Sequence, residues 1–373
     1  MARIGIDARM YSSRFTGIGR YAYELIANLA LLDGKNEYVI FLNGPEFDAF
    51  VAPRPNFRAV RVDAKHYSLA EQTSLLSALR KENLDLVHFT HFNAPYFYRR
   101  PFVVTIHDLT LSFFPGRKMA SPLHRFAYHR VISHAIRDSQ SIIAVSEYTK
   151  GDILKLYDVP DPKVTVTHEG IGNEFSPADP TDVVLSNGLE LENRSYLLYT
   201  GVWREHKNLK RLLSAFLSLA KDTLDIDLVI TGRHDPLYGE ILSMPAAAGL
   251  ADRVHFVGHV SESELIALYR NARAFVFPSL YEGFGLPPLE AMSCGTPVVC
   301  SDSSSLPEVC GDAALYFDPL SEKDIHEKLA MIVSQDDLCG ELRKKGLENV
   351  KRFSWKTMAE KTLSTYHQAL QRT

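Results

Sequence analysis

The chain has 373 residues, 46% of them hydrophobic and 23% charged, an ordinary globular composition with room for two domains. A formal net charge of −4 and a sequence pI of about 6.4 give no global basic field, so nucleic acid is not an expected partner. No apolar run approaches the roughly 20 residues needed to span a bilayer, and Met1-Ala-Arg-Ile-Gly-Ile-Asp7 reads as a short buried strand without the apolar core of a signal peptide.

In chain order, short apolar runs alternate with helical periodicity. The first half has runs at Arg3–Asp7, Tyr38–Leu42, Phe57–Val62, Asp85–Thr90, Phe102–Ile106, Ser141–Val145 and Val164–His168. The second has them at Tyr196–Thr200, Leu228–Thr231, Val254–Val257, Ala274–Phe277, Pro297–Cys300 and Ala314–Phe317. Helical stretches lie between them, among them Gly19–Ala30, Leu69–Lys81, Leu209–Ala220, Glu262–Asn271 and Glu322–Val333. Runs this short and continuously apolar predict buried parallel strands, and the alternation predicts an α/β protein of two doubly wound, Rossmann-like sheets. Pro177, Pro180, Asn187 and Gly188 break the pattern between about Gly170 and Ser195. The expected division is therefore 1–175 and 190–353, followed by a helical tail, 354–373, carrying Trp355, Met358, Leu363 and Tyr366. Cys294, Cys300, Cys310 and Cys339 show no metal-ligand spacing; in a chain of this size they read as reduced thiols of a cytoplasmic enzyme.

Ligands of such sheets bind at the carboxyl ends of the strands. The segment Glu282-Gly-Phe-Gly-Leu-Pro-Pro-Leu-Glu290 follows the run Ala274–Pro278. Pro287 and Pro288 suit a first helical turn, whose N–H groups have no intrahelical acceptor, and Gly295 suits the helix end. Strand, glycine loop and helix N-terminus together favour a phosphate or pyrophosphate at Gly283, Phe284, Gly285 and Leu286. The carboxylates of Glu282 and Glu290 cannot bind that anion, but they can accept hydrogen bonds from sugar hydroxyls. Amides for phosphate and carboxylates for hydroxyls describe a nucleotide-sugar pocket.

This stretch resembles the Glu-x7-Glu motif of retaining glycosyltransferases, in particular family 4 of the GT-B fold. The resemblance covers most of the chain. It implies two Rossmann-like domains facing across a cleft, an acceptor-side N-terminal domain, and a nucleotide-sugar domain after it. It also implies a C-terminal helix that crosses back to the first domain. Thr16-Gly-Ile-Gly-Arg-Tyr21 resembles the family's N-terminal glycine loop and places Gly17 and Gly19 near donor phosphate or acceptor. As a dinucleotide fingerprint it fails, because no Asp or Glu ends the second strand at Phe41-Leu-Asn43. His107, closing the strand Val103–Ile106, resembles the histidine that contacts the donor sugar. Ser146 matches a strand-end serine, although capping the next helix is an equally good reading. His168-Glu-Gly-Ile-Gly-Asn-Glu-Phe-Ser-Pro177 resembles the interdomain entry and reads as a hinge.

Thr200-Gly-Val-Trp-Arg-Glu-His-Lys-Asn208 falls where the family sets a basic pair on the pyrophosphate. Lys207 matches well. The family arginine is replaced by Val202, with Arg204 or His206 as substitutes from the same loop. Gly258-His259-Val260 resembles the segment against the base, which makes His259 a donor-side residue. The resemblance implies catalysis by positioning and charge stabilisation, carried by His107, Glu282 and Lys207. Attack would occur on the front face, with the departing phosphate taking the acceptor proton.

No cofactor or essential metal is expected. Asp225-Ile-Asp227 precedes a strand and reads as solvated, and His88 and His91 lack a third ligand in sequence. The segment 117–137 sets Arg130, His134 and Arg137 on one helical face, as a peripheral membrane contact, a solvated face or a phosphate site for the acceptor. Thr16–Tyr21, Tyr67-Ser-Leu-Ala-Glu-Gln72 and Thr105-Ile-His-Asp-Leu109 come closest to bacterial mannosyltransferase-like members that build surface polysaccharides. GDP-mannose is then the first donor to consider and a UDP-sugar the second, with a glycan or lipid-linked acceptor. A GT-B sugar-nucleotide epimerase and an inactive nucleotide-sugar-binding subunit are the readings from other classes.

Overall fold

The computed structural model describes residues 1–11, 17–116, 119, 121–178, 185, 191, 194–222 and 225–372. Thr16, Pro180, Asn187 and Gly188, and residues 117, 118 and 120 of the basic segment, lie outside the described residues. The chain forms two compact units, Met1–Gly170 with Phe353–Thr373, and Ile171–Arg352. The boundary at Gly170 falls within the stretch His168–Pro177.

The first unit begins with β1 (Arg3–Asp7), α1 (Gly17–Leu32), β2 (Glu37–Leu42), α2 (Gly44–Ala49), β3 (Phe57–Arg61) and α3 (Leu76–Lys81). It continues through β4 (Leu86–Phe89), β5 (Phe102–Ile106), α4 (Thr110–Phe113), α5 (Pro122–Asp138), β6 (Ser141–Ala144), α6 (Glu147–Leu156) and β7 (Val164–Val166). These strands form a parallel sheet in the order β3-β2-β1-β4-β5-β6-β7. The central strands are buried along their whole length, as in β4 and β5. That is why they read as continuous apolar runs rather than alternating ones.

The second unit holds β8 (Tyr196–Thr200), α7 (Leu209–Asp222), β9 (Asp227–Thr231), α8 (Glu240–Ala247), β10 (Val254–Gly258), α9 (Glu262–Asn271) and β11 (Ala274–Phe277). Then come α10 (Leu286–Ser293), β12 (Val298–Ser301), α11 (Leu306–Cys310), β13 (Ala314–Phe317), α12 (Glu322–Ser334) and α13 (Asp336–Asn349). Its parallel sheet runs β10-β9-β8-β11-β12-β13, wound like the first. Leu209, Leu212, Leu213, Phe216 and Ala220 form the stripe by which α7 joins the core. All four cysteines are free and buried.

The last helix, α14 (Trp355–Gln371), belongs to the first unit. Its buried residues, Trp355, Met358, Ala359, Thr362, Tyr366 and Ala369, recur at helical spacing, and it packs along α1 and against β4, β5 and β6. Ser354 caps it, its side chain accepting from the Thr357 amide. Gly170 sits against this start so closely that a Cβ there would lie 2.1 Å from the Trp355 nitrogen. Gly170→Ala should therefore destabilise the first unit by about 2–3 kcal/mol through overpacking. An unchanged urea midpoint would contradict this packing.

Candidate functional site

The second sheet changes winding direction between β8 and β11, which are hydrogen-bonded neighbours. At such a point the loops leaving the two strands part and open a crevice at their carboxyl ends. The β8 loop runs to Asn208, and the β11 loop carries Glu282 into α10. Two contacts fasten them. The Leu280 amide donates to the His206 carbonyl at 2.7 Å. Asn208 donates from Nδ2 to the carbonyls of Pro278 (3.1 Å) and Pro319 (2.8 Å). Asn208 does so at φ +56°, a left-handed conformation that asparagine tolerates better than most residues.

Lys207 Nζ lies 2.6 Å from Glu282 Oε1, and both side chains are about 15% exposed (16% and 15%). The ammonium also lies 5.4 Å from the centroid of the Phe277 ring, a cation–π distance. One cation and one carboxylate thus stand together at the switch point, each largely withdrawn from water. Gly285 precedes α10 at φ +140°, where a Cβ would come 3.0 Å from Leu306 Cδ2, so this turn requires glycine. Pro287 and Pro288 lie in the first turn of α10, as its sequence predicts. Glu290 is half-buried one turn later, its Oε2 accepting from the Tyr269 hydroxyl at 3.1 Å. Burial, and then the Glu290 charge, hold the Tyr269 phenol well above its usual range, so it stays a donor.

Sequence reasoning missed what holds the Glu282 loop. Ser301 donates to the Ser279 carbonyl (2.5 Å) and Ser303 to the Leu280 carbonyl (2.8 Å). The Glu282 amide donates to Ser304 Oγ (2.9 Å), and Ser305 Oγ shares its one hydrogen between the carbonyls of Glu282 (3.0 Å) and Phe284. Four hydroxyls from one short segment therefore satisfy the backbone of the loop that carries the carboxylate. The available signal was four serines in Ser301-Asp-Ser-Ser-Ser305 directly after a buried strand. Such a run reads by default as an ordinary turn, because serine favours turns wherever it occurs.

Arg204, Lys207, Glu282, Gly283, Phe284, Gly285, Leu286 and Glu290 all lie in the two switch-point loops or the start of α10. Arg204 and Val202 are exposed, while His206 is buried. His259 is exposed and follows β10, two strands away from β8 at the sheet edge.

The remaining residues of interest lie in the first unit. Gly17 and Gly19 do not form a loop ahead of the helix. They are in the first turn of α1, with Gly17 exposed and Gly19 buried, because the apolar stripe of Tyr21, Ala22, Leu25 and Ile26 extends the helix back to them. His107 follows β5 and is 8% exposed. Its Nδ1 lies 2.9 Å from Glu169 Oε1 and its Nε2 lies 3.0 Å from the Thr90 carbonyl. A carbonyl only accepts, so Nε2 carries hydrogen there. A sugar contact by this ring would replace one of these bonds.

His88 is fully buried, with Nδ1 2.6 Å from the Tyr366 hydroxyl and Nε2 2.8 Å from Thr105 Oγ1. Burial pushes its pKa down to about 3, so it serves as a neutral core residue. His91 bonds Asn93 Oδ1 at 2.8 Å. Ser146 caps α6, accepting from the Thr149 amide at 3.0 Å.

Two expectations need correction. Asp227 is not solvated: it is 5% exposed and bonded by Arg194, Arg253 and His255, because it opens a buried strand and must be paired. The face of Arg130, His134 and Arg137 is not continuously basic. His134 is buried, its Nδ1 2.7 Å from Asp138 Oδ2 and its Nε2 3.1 Å from the Pro95 carbonyl, while Arg130 lies over the Tyr96 and Phe126 rings. Among the described residues, no group of three or more His, Cys, Asp or Glu side chains is arranged to hold a metal.

The family model described as "Glycosyl transferases group 1" matches residues 186–351, and "Glycosyltransferase Family 4" matches residues 15–175. The chain is 31% identical to the O-antigen chain mannosyltransferase B of Escherichia coli, over 94% of this chain and 96% of that one. The sucrose-phosphate synthase of Thermosynechococcus elongatus superposes with a TM-score of 0.82 at 19% identity, covering 100% of both chains. Anabaena HepE in complex with UDP-glucose gives 0.76 at 16% identity, over 98% of this chain and 100% of that one. These two structural likenesses show the fold.

If the serines hold the Glu282 loop, Ser305→Ala removes the hydroxyl shared by the Glu282 and Phe284 carbonyls and should cost about 1–3 kcal/mol. Hydrogen exchange of the Gly283–Gly285 amides should accelerate while that of β8 stays as it is. Equal exchange in both proteins would remove the serines from this role.

Proposed function

Because the chain belongs to the family 4 glycosyltransferases of the GT-B fold, we propose that it moves mannose from GDP-mannose to a glycan or lipid-linked acceptor in cell-surface polysaccharide synthesis. The observation that carries this reading is the Lys207–Glu282 pair beside the N-terminus of α10. Lys207 and the amides of Gly283–Leu286 would hold the pyrophosphate. Glu282 would turn to the hydroxyls of the donor sugar and Glu290 to those of the ribose. Arg204, exposed in the same loop, would add charge as the diphosphate leaves. His107 would act on the sugar, Gly17 and Gly19 beside phosphate or acceptor, and His259 beside the base. The reaction would proceed with retention and without an essential metal. The mannosyltransferase similarity supports the choice of sugar, and the UDP-glucose complex of a structural neighbour favours the second reading, a UDP-sugar donor.

The exposed side of the first half of α5 presents Leu123 and Phe126 among His124, Arg125, His129 and Arg130. This mixture of apolar and basic groups supports a peripheral contact with an anionic membrane surface. Flotation with phosphatidylglycerol vesicles should be strong for the wild type and reduced at least fivefold in Leu123→Glu/Phe126→Glu. Equal flotation would end that part of the reading.

A thermal-shift panel of GDP, UDP, ADP and CMP with their common sugars tests the donor, since a ligand raises stability according to its concentration over its Kd. Shifts with GDP and GDP-mannose alone are expected; a UDP-selective shift selects the second reading. Lys207→Ala should weaken GDP binding at least tenfold. Glu282→Ala should abolish transfer while GDP binding is kept or tightened, because Lys207 loses its internal partner. Loss of GDP affinity in Glu282→Ala would overturn the role given to Glu282. Equal transfer rates with and without EDTA are expected.

A further inference from the structure

Three energetically expensive features meet at one place in the first unit, whereas Lys207 and Glu282 belong to the second. Arg9, 3% exposed, is bound by Asp7 (Nε to Oδ1 and Nη2 to Oδ2, both 2.8 Å) and by Glu71 (Nη1 to Oε1, 3.0 Å). Glu71, 4% exposed, also accepts from Asn93 Nδ2 at 3.0 Å and from the Tyr67 amide at 2.8 Å. Buried charge clusters of this kind add little net stability compared with apolar packing. Glu71 opens a five-residue π turn, Glu71–Leu75, a geometry that is rare and concentrated at functional sites. Tyr67 itself sits at φ +58° and is 60% exposed. For a bulky residue that conformation is a true outlier and persists only when its surroundings over-determine it.

The location is as informative as the strain. The first sheet changes winding direction between β1 and β4. Asp7 ends β1, while His91 and Asn93 follow β4, so the cluster marks the point where open α/β sheets hold ligands. The Tyr67 ring meets His91 edge-on, with centroids 6.3 Å apart at 87°, and tilts against Phe92 at 6.1 Å. The result is an exposed aromatic ring whose backbone is pinned by buried ions and whose side is braced by two further rings.

We propose that Tyr67 is an aromatic platform on which a sugar ring of the acceptor glycan stacks. One face of a pyranose is a sheet of C–H groups, which pairs with an aromatic face, and its hydroxyls remain at the rim for polar partners. A rigid platform binds more tightly than a mobile one because its ordering cost is met in folding. The buried ions and the π turn thus have a purpose that stability alone does not give them. The inference rests on the reading that the acceptor is a glycan.

The test is saturation-transfer NMR on the full chain, with octyl glycosides of mannose, glucose, galactose and N-acetylglucosamine as probes, and GDP binding measured on the same samples. In the wild type and Tyr67→Phe, at least one glycoside should receive saturation at its ring C–H protons. In Tyr67→Gly its Kd should rise at least tenfold while GDP affinity stays constant. Glycine also releases the left-handed strain, so the Tm of Tyr67→Gly should equal or exceed that of the wild type. Undiminished glycoside binding in Tyr67→Gly, or no saturation of any glycoside by the wild type, overturns the proposal. A lowered Tm with joint loss of glycoside and GDP overturns it too, because Tyr67 is then a structural prop. Failure of GDP to bind the wild type, with glycoside binding and its Tyr67 dependence intact, would count against the donor reading alone.

Discussion

Lys207 and Glu282 meet across 75 residues of sequence because β8 and β11 are neighbours in a sheet wound outward in both directions. Each successive strand–helix crossover adds on one side until the winding reverses, and only at the reversal do two loops leave adjacent strands toward opposite faces. The meeting of this cation and this carboxylate follows from that geometry. The lysine comes from the first strand of the unit, the carboxylate from the fourth. The serines that hold the carboxylate loop come from the end of the fifth, β12, which is hydrogen-bonded to β11. Ser301 and Ser303–Ser305 are therefore already beside the loop they support, and their small side chains reach its backbone directly.

The first unit applies the same winding to different chemistry. Its reversal gathers Asp7, Arg9, His91 and Asn93 rather than a lysine and a glycine loop. Its interior is tied together by a polar chain that starts in the last helix. The Tyr366 hydroxyl meets His88, His88 meets Thr105, and Thr105 meets the Tyr21 hydroxyl at 2.9 Å. Tyr21 in turn presents its ring to that of His107, with centroids 4.8 Å apart at 88°. Every member must be satisfied, since an unpaired group in so dry an interior would be costly. With its pKa near 3, His88 stays neutral and links two hydroxyls as one donor and one acceptor. The C-terminal helix is thereby built into the interior from which His107 emerges, and Gly170 leaves room for its first turn.

The two sheets were legible in the sequence because buried parallel strands have no alternating signal to misread. All thirteen apolar runs became strands among the described residues, most with ends shifted by one or two positions. The Glu282–Glu290 segment was legible for a similar reason: glycine, proline and charge occur there in an order that only a loop and a helix start accommodate. Partnership between distant residues was not legible. Nothing local in Asp225-Ile-Asp227 shows that Asp227 is surrounded by Arg194, Arg253 and His255, and nothing in a basic helix shows that His134 faces inward to Pro95. Gly17 and Gly19 resembled a loop because glycine marks loops more often than first turns. The π turn at Glu71 was read as plain helix because its side-chain period differs little over five residues.

The Lys207–Glu282 pair also bears on what kind of ligand the site can accept. Both groups are mostly removed from water, so separating them without replacement leaves charges whose desolvation is no longer offset. For fully buried pairs that costs about 3–5 kcal/mol, and less for groups with this residual exposure. An inorganic anion can satisfy Lys207 but leaves Glu282 facing a negative charge. A neutral sugar can donate to Glu282 but leaves Lys207 with only the Phe277 ring. A ligand that carries phosphate at one end and hydroxyls at the other satisfies both at once and so escapes the penalty that each half would incur. On the proposed reading, the internal ion pair would favour a joined donor over its separate parts. The selectivity would then lie in two residues that, without ligand, satisfy each other.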